Sequence, residues 1–535
     1  MSTPDLLVTG TIHTLDPARP RAEALLARDG RVVRLGGVAE CRREARPGAR
    51  HLDAGKGCAV PGLADAHGHV VLYARALEGV RCGGAEDERA CAARAAERAG
   101  TVRPGTWVRG RGWDENRWPG HALPSERTLT EAVSEHPVAL ERVDGHATWV
   151  NARAMALAGI GPDTRDPPGG RIVRDDRGWP TGILVDRAQD LVLDCVPHPS
   201  GGEVDRLIEA GLFHLAQLGL TAVHDAGCTS SVLRAYGRLA AADRLPLRVY
   251  AMIDGSQPEG SLAAELARWA GAPSIGRLEV RAVKLFADGA LGSRGAALLD
   301  GYADDPGNRG LELLAPEALR ARIARVARAG FQPAVHAIGD AACREVLSAY
   351  ASLTRELDLR RLRPRVEHLQ IVRREDLPRL AESGAIASMQ PVHATSDAPW
   401  VASRVGEGTP ALQGAYAWRQ VLAAGAPLAL GSDFPVESPD PRLGLRAAET
   451  RRPAGAADAW MPEERLSRLE ALRGFTTGAA YASFAEHRRG SLREGGDADV
   501  TLLGEDLLAV PADALPDVPV LATVVAGRVE HPRDL

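Results

Sequence analysis

CAVPGLADAHGH, residues 58–69, decides the reading of the fold, because it joins an apolar run of strand length to a His-Gly-His end. Side chains two apart on a strand point the same way, so His67 and His69 can reach one ion. Asp65 shares that face, where a carboxylate would accept the second ring N–H of a ligating histidine and fix its tautomer. Taken alone, His-x-His is a weak metal signal, since two surface histidines give the same letters. Its weight comes from the company it keeps further along the chain.

After this first strand candidate (58–67) come seven more: LTAVHDAG (220–227), PLRVYAMI (246–253), LEVRAVKLFA (278–287), QPAVHAIG (332–339), RVEHLQ (365–370), IASMQPVH (386–393) and PLALGSDF (427–434). Amphipathic patterns such as PEALRARIARVARAG and AACREVLSAYASLTREL lie between them, the alternation of repeated βα units. The reading is an α/β fold, a closed (β/α)8 TIM barrel over 59–484. Far more chain separates the first two strands than a single crossover helix requires. An insertion over about 75–215, dense in Trp, Gly and Pro, is therefore expected after strand one, placed to cap the active-site mouth. Short strands at 1–58, with a hairpin signal at Asp29-Gly30, and two more near the end, DADVTLLG and VLATVVAGRVEH, predict a small β-sandwich domain from 1–58 and 485–535.

Composition narrows the function. A net charge of −5 leaves no basic stripe for nucleic acid or anionic lipid, and no long apolar run marks a membrane span or leader. A cytoplasmic location is the default, with a small-molecule substrate and, at most, a second copy of the chain as partners. The seven cysteines are scattered without a C-x-x-C pair, which argues against a disulfide framework or a zinc knuckle.

Barrel enzymes assemble their sites at the C-terminal ends of the strands. There Lys284, His336, His368 and Asp433 join His67 and His69. Each has a bland reading alone: a salt-bridged lysine, a satisfied core histidine, a helix cap. Together on one rim they read as a metal centre. His224 and Asp225, with Cys228 close behind, look like a site pair but are weighed as mainly structural.

PGLADAHGH, VDGHATWVN, KLFADGALGSRGAAL, HAIGD, VEHLQ, QPVHATSD and GSDFPV resemble, in order and spacing over nearly the whole chain, amidohydrolase family 3, the group similar to N-substituted formamide deformylases. The resemblance implies a (β/α)8 barrel with a small β-sandwich and a centre of one or two divalent metal ions. By analogy the ligands are His67, His69, His336, His368 and Asp433, with Lys284 carboxylated on its Nζ to bridge two ions. A carbamate forms only on a neutral amine, which suits a lysine whose charge is disfavoured at a buried cationic site. Zinc is the ion that a His-rich set with anionic partners favours, with iron, manganese and cobalt as alternatives.

The expected reaction is hydrolysis of a C–N bond, whether amide, N-formyl or cyclic amide, by a metal-activated water, with Asp433 taking the proton and returning it to the leaving nitrogen. Deamination, C–O hydrolysis, decarboxylation and a silent binding role are the alternatives on the same barrel. Candidate substrate contacts are Trp113 and Asp114 in GRGWDEN, His146 in DGHATWVN, Asp288 and Arg294 in FADGALGSRG, and His393 and Asp397 in QPVHATSD. His146 is favoured among them, as a catalytic donor to the substrate oxygen. Asp288 and Arg294 have the alternative of pairing with one another.

Overall fold

The structure, a computed structural model, describes residues 4–143, 145–197 and 201–532. Eight parallel strands form the barrel: β1 (Leu63–Gly68), β2 (Leu220–Cys228), β3 (Arg248–Asp254), β4 (Leu278–Phe286), β5 (Gln332–Ala337), β6 (Arg365–His368), β7 (Ile386–Met389) and β8 (Leu428–Leu430), bonded in that order. The ring closes just beyond β8, where the Asp433 N–H donates to the His67 carbonyl (2.8 Å) and the His69 N–H to that of Phe434 (2.9 Å). Closure therefore uses the same backbone that carries three of the expected ligands. The helices after the strands bury one stripe each, as in Pro316–Arg328, where Leu319, Ile323 and Val326 turn inward and the arginines outward.

Two strand readings change. The run 58–67 holds two strands: Arg50–Pro61 ends in the sheet of the chain termini, and β1 starts after Gly62. A Cβ on Gly62 would stand 2.3 Å from Thr221 Oγ1, so the crossing between sheets needs glycine. Residues 386–393 likewise stop being strand at Met389, because Pro391 opens the helix Pro391–Val405 at a position where a missing N–H costs nothing. His393 is thus on a helix.

The chain ends pair into one seven-stranded sheet, running Arg528–His531, Val520–Val525, Val500–Leu503, Arg50–Pro61, Leu6–His13, Arg21–Arg28, Arg31–Gly36. Its edge strand Arg31–Gly36 meets the segment leading into Val500–Leu503: Val32 exchanges backbone bonds with Gly495 and Gly496, and Ala498 donates to Gly30 of the expected hairpin turn. Val8, Leu25, Leu35, Val500 and Val524 fill the enclosed core. The sheet is fastened to the barrel by the Arg248–Asp499 ion pair (2.6 Å) and by the Thr501 and Thr523 hydroxyls, which donate to the Gly219 and Ala216 carbonyls.

By its contacts the chain divides into two units, Met1–Val71 with Val204–Leu535, and Leu72–Glu203. The insertion therefore ends earlier than 215, because the helix Gly201–Gln217 buries Leu207, Ile208, Leu212 and Leu215 as an element of the larger unit. The inserted unit has its own six-stranded sheet and a core around Trp113, Trp118 and Trp149. Each indole N–H is satisfied by a backbone carbonyl: Leu140 for Trp113, Ala85 for Trp118, Ser125 for Trp149. Trp113→Ala should accordingly lower the stability of this unit by about 3–5 kcal/mol, the usual cost of emptying a buried aromatic position. Thermal unfolding followed by tryptophan fluorescence checks it, and an unshifted transition would return Trp113 to the substrate contacts.

The seven cysteines form no disulfide, and all but Cys195 are buried. Among the described residues no helix is long and apolar enough to cross a membrane.

Candidate metal centre

The barrel interior below the rim is polar, which a strand reading does not foresee. Arg365 of β6 is fully buried at its middle. Its guanidinium donates to His224 Nδ1 (3.0 Å), the Ala66 carbonyl (2.7 Å) and Ser388 Oγ (2.9 Å), and its Nε lies 2.7 Å from Glu367 Oε1. Alternation puts Arg365 and Glu367 on the same inward face. Burial pushes the Glu367 carboxyl up, but Arg365 and His67 outweigh it and hold the group well below the usual carboxylate range. Glu367 is therefore an anion, and its Oε2 meets His67 Nδ1 at 2.5 Å.

This corrects the role read for Asp65. Its carboxylate accepts the backbone N–H of His67 (3.0 Å) and of Ser432 (3.1 Å) and the Ser432 hydroxyl (2.6 Å), tying β1 to the turn after β8. The carboxylate set against the His67 ring is that of Glu367. Its signal is in VEHLQ, where Glu367 stands one residue before His368.

Three imidazoles share one construction. The Nδ1 atoms of His67, His69 and His368 face acceptors, namely Glu367, the Ala226 carbonyl (2.8 Å) and Gln390 Oε1 (2.9 Å). Gln390 is oriented by its own amide N–H, which donates to the Ser388 carbonyl. With Nδ1 donating to these acceptors, Nε2 is the nitrogen that each ring can offer to a cation, as in metal-binding histidines. His67 Nε2 and His69 Nε2 stand 3.7 and 3.2 Å from Asp433 Oδ1. His69 Nε2 and Asp433 Oδ1 are both atom types that ligate a divalent cation, and their 3.2 Å approach brings them within reach of one ion.

Lys284 is buried with its Nζ 3.4 Å from His67 Nε2. Burial lowers its pKa to about 8, against the pull of Glu367 and Asp433. Burial also depresses His67 to about 4 and His336 to about 3, so both rings are neutral at pH 7. His336 lies with its ring centroid 4.6 Å from that of His368, and its Nε2 is 3.5 Å from the Gly289 carbonyl, leaving Nδ1 as its free nitrogen. Asp433 is raised by burial but lowered further by its contacts with His69, His368 and His67, ending well below the ordinary aspartate value.

Two ligand-sized clusters share Asp433: His67 with His69, and His368 with His393, each with its ligand atoms within 4.8 Å of one another. The backbone pays for this convergence, since His368 (φ 74°), Leu369 (φ 45°) and Asp433 (φ 61°) hold left-handed conformations that non-glycine residues rarely adopt. A lone-pair-rich set of imidazole nitrogens, one carboxylate and a poorly charged lysine fits a divalent cation.

The other candidates separate by position. Asp288 does not pair with Arg294. It accepts the N–H groups of Ala297, Ile338 and Gly339 (2.8–3.0 Å), joining the loops after β4 and β5, and burial raises it to about 7. Arg294 pairs with Asp304 instead (3.0 Å). Asp397 accepts the Tyr416 hydroxyl. Asp225 takes the Val70 N–H, the Tyr236 hydroxyl and the Cys228 thiol, and so anchors the residue after His69. In the inserted unit, Trp113 is a core residue and the Asp114 side chain accepts the Asn116 N–H to cap a short helix. His146 is exposed and holds Asp186 Oδ1 at 2.9 Å through Nδ1; Asp144 of the same motif lies outside the described residues.

A closed parallel barrel whose strand ends gather histidines, a lysine and an aspartate defines a class, the barrel hydrolases. Residues 50–531 match the Amidohydrolase family profile Amidohydro_3, and the chain belongs to that family. It is 31% identical over 532 residues, 98% of each chain, to the putative amidohydrolase YtcJ of Bacillus subtilis. It is 28% identical to the N-substituted formamide deformylase of Arthrobacter pascens, over 99% of this chain and 98% of that one. Among solved structures, an uncharacterized metal-dependent hydrolase from Pyrococcus furiosus superposes with a TM-score of 0.79 at 28% identity, over 94% of this chain and 100% of the other. The chain is therefore a hydrolase.

Proposed function

We propose that this hydrolase cleaves a C–N bond of a small molecule, of amide, N-formyl or cyclic-amide type, with one or two divalent ions, zinc by preference, held at the barrel mouth. The observation that carries the reading is the gathering of His67, His69 and His368 around Asp433, each ring with Nδ1 within hydrogen-bond distance of an acceptor, and with Lys284 Nζ 3.4 Å from His67 Nε2. His67, His69, His336, His368 and Asp433 would hold the ion, which would supply a more acidic water and a Lewis acid for the scissile carbonyl. Asp433, ionised at neutral pH, accepts the proton of the attacking water and passes it to the leaving nitrogen, which departs as a neutral amine. Lys284, with its pKa lowered to about 8, is neutral in an appreciable fraction of molecules near pH 7, as carboxylation by carbon dioxide requires. The formamide deformylase relative supports placing N-formyl compounds first in a substrate panel.

Elemental analysis of protein expressed with zinc should find about one to two ions per chain, because the donor set exceeds what one tetrahedral ion uses. Lys284→Ala should lose metal and turnover together, with partial rescue by short carboxylates. A panel of formamides, amides, cyclic amides and esters, read by released formate, amine or ammonia, tests the bond. Turnover of esters alone, or metal-free protein of full thermal stability, would overturn the reading.

A further inference from the structure

His393 departs from the three histidines around it. Its Nδ1 faces a donor, the Gln370 amide Nε2, at 3.1 Å. With the Gln370 N–H donating to Nδ1, the ring proton stands on Nε2. That Nε2–H is buried, has no hydrogen-bond partner among the described residues, and lies 3.8 Å from Asp433 Oδ2, beyond hydrogen-bond reach. A buried donor without a partner is costly and needs an explanation. The ring is placed by the first turn of the helix Pro391–Val405, nearly parallel to the His368 ring at a centroid distance of 6.2 Å.

We propose that His393 is not a metal ligand, although it lies within a ligand cluster, but the catalytic hydrogen-bond donor to the substrate's carbonyl oxygen. Gln370 is the positioning residue that sets its tautomer. The proposal rests on the hydrolytic reading and deepens it, by naming a planar carbonyl beside the scissile nitrogen as the group recognised. The water oxygen bonds to the carbonyl carbon, Asp433 takes the water's proton, and negative charge develops on the carbonyl oxygen. His393 donates to that oxygen and keeps its proton throughout. The C–N bond then breaks as the proton held by Asp433 moves to nitrogen, giving a carboxylic acid and an amine. A donor aimed at developing charge in a dry site needs no reorganisation during the reaction, and its N–H has no competing partner to lose.

The test uses the full chain loaded with zinc. His393→Ala should keep the metal content of the parent while kcat on the fastest panel substrate falls about 10²–10³-fold with little change in KM, the usual effect of deleting an oxyanion donor. Loss of metal from that variant would make His393 a ligand and overturn the proposal, as would an unchanged kcat. Should His393→Ala fold poorly, Gln370→Glu serves instead. Its carboxylate accepts from Nδ1, so the Nε2–H is replaced by a lone pair and kcat should fall comparably with the fold intact. Nitrogen-15 histidine spectra of the metal-free protein, with His393→Gln as the assignment control, should show His393 protonated on Nε2 in the parent and on Nδ1 in Gln370→Glu. An Nδ1-protonated His393 in the parent would overturn the proposal even if no panel substrate were turned over. Absence of all turnover by the zinc-loaded parent would instead count against the hydrolytic reading.

Discussion

Asp433→Asn should lower turnover by about two to four orders of magnitude, the range for loss of a general base, while most of the bound metal stays. Asparagine keeps the size of the side chain and one carbonyl oxygen that a metal can still use, but it cannot take a proton. The structure sharpens the expectation. One oxygen, Oδ1, faces His67 and His69, and the other, Oδ2, faces His368 and His393, so the carboxylate is shared between the two halves of the site. Its strained backbone and the N–H bond to the His67 carbonyl hold it there in either variant. Elemental analysis beside a rate measurement separates the outcomes. Metal and activity lost together would make Asp433 chiefly a ligand, and retention of both would move the base elsewhere.

The parts legible in the sequence are those that obey a period. All eight barrel strands stand in or beside the apolar runs that mark them, and the helices after β2 to β8 follow the 3.6-residue stripe. His67 and His69 converge on Asp433 because alternation puts them on one face. What escaped was set by tertiary contacts or by local breaks of the period. Gly62 splits one apolar run between two sheets because Thr221 crowds it, and nothing in the run itself shows Thr221. Pro391 starts a helix inside what reads as a strand. His368 would face away from Glu367 on a regular strand, but its positive φ turns both toward the site. Arg365, a charge at the start of a short strand, fills the barrel centre because four strands supply acceptors for its N–H groups. The tautomers, and with them the split between His393 and its neighbours, depend on Gln370, Gln390, Glu367 and the Ala226 carbonyl. Their distance in sequence hides those pairings.

Glu367→Ala should cost about 3–5 kcal/mol of stability, the usual penalty for removing one partner of a buried ion pair. Arg365 and Glu367 have no exposed surface, so the deletion leaves a guanidinium in the barrel centre with no anion beside it. The same change frees His67 Nδ1 and with it the choice of tautomer, so zinc affinity should fall about 10–100-fold, as when a carboxylate behind a ligating histidine is lost. Glu367→Gln divides the two effects. The amide oxygen can still accept from His67 Nδ1, which preserves the tautomer, but the negative charge facing Arg365 and Lys284 is gone. Stability should then drop while zinc affinity changes less than in the alanine variant. Chemical denaturation of the metal-free proteins gives the first quantity and zinc competition with a chelating dye the second. Replacing Arg365 with methionine in the Glu367→Gln background should recover part of the lost stability, since no uncompensated charge then remains at the barrel centre. If Glu367→Ala instead unfolds at the parent's denaturant midpoint, the Arg365 charge is reached by water and the barrel interior is wetter than its burial implies. If stability drops but zinc affinity holds, His67 is oriented by packing alone and Glu367 serves only Arg365.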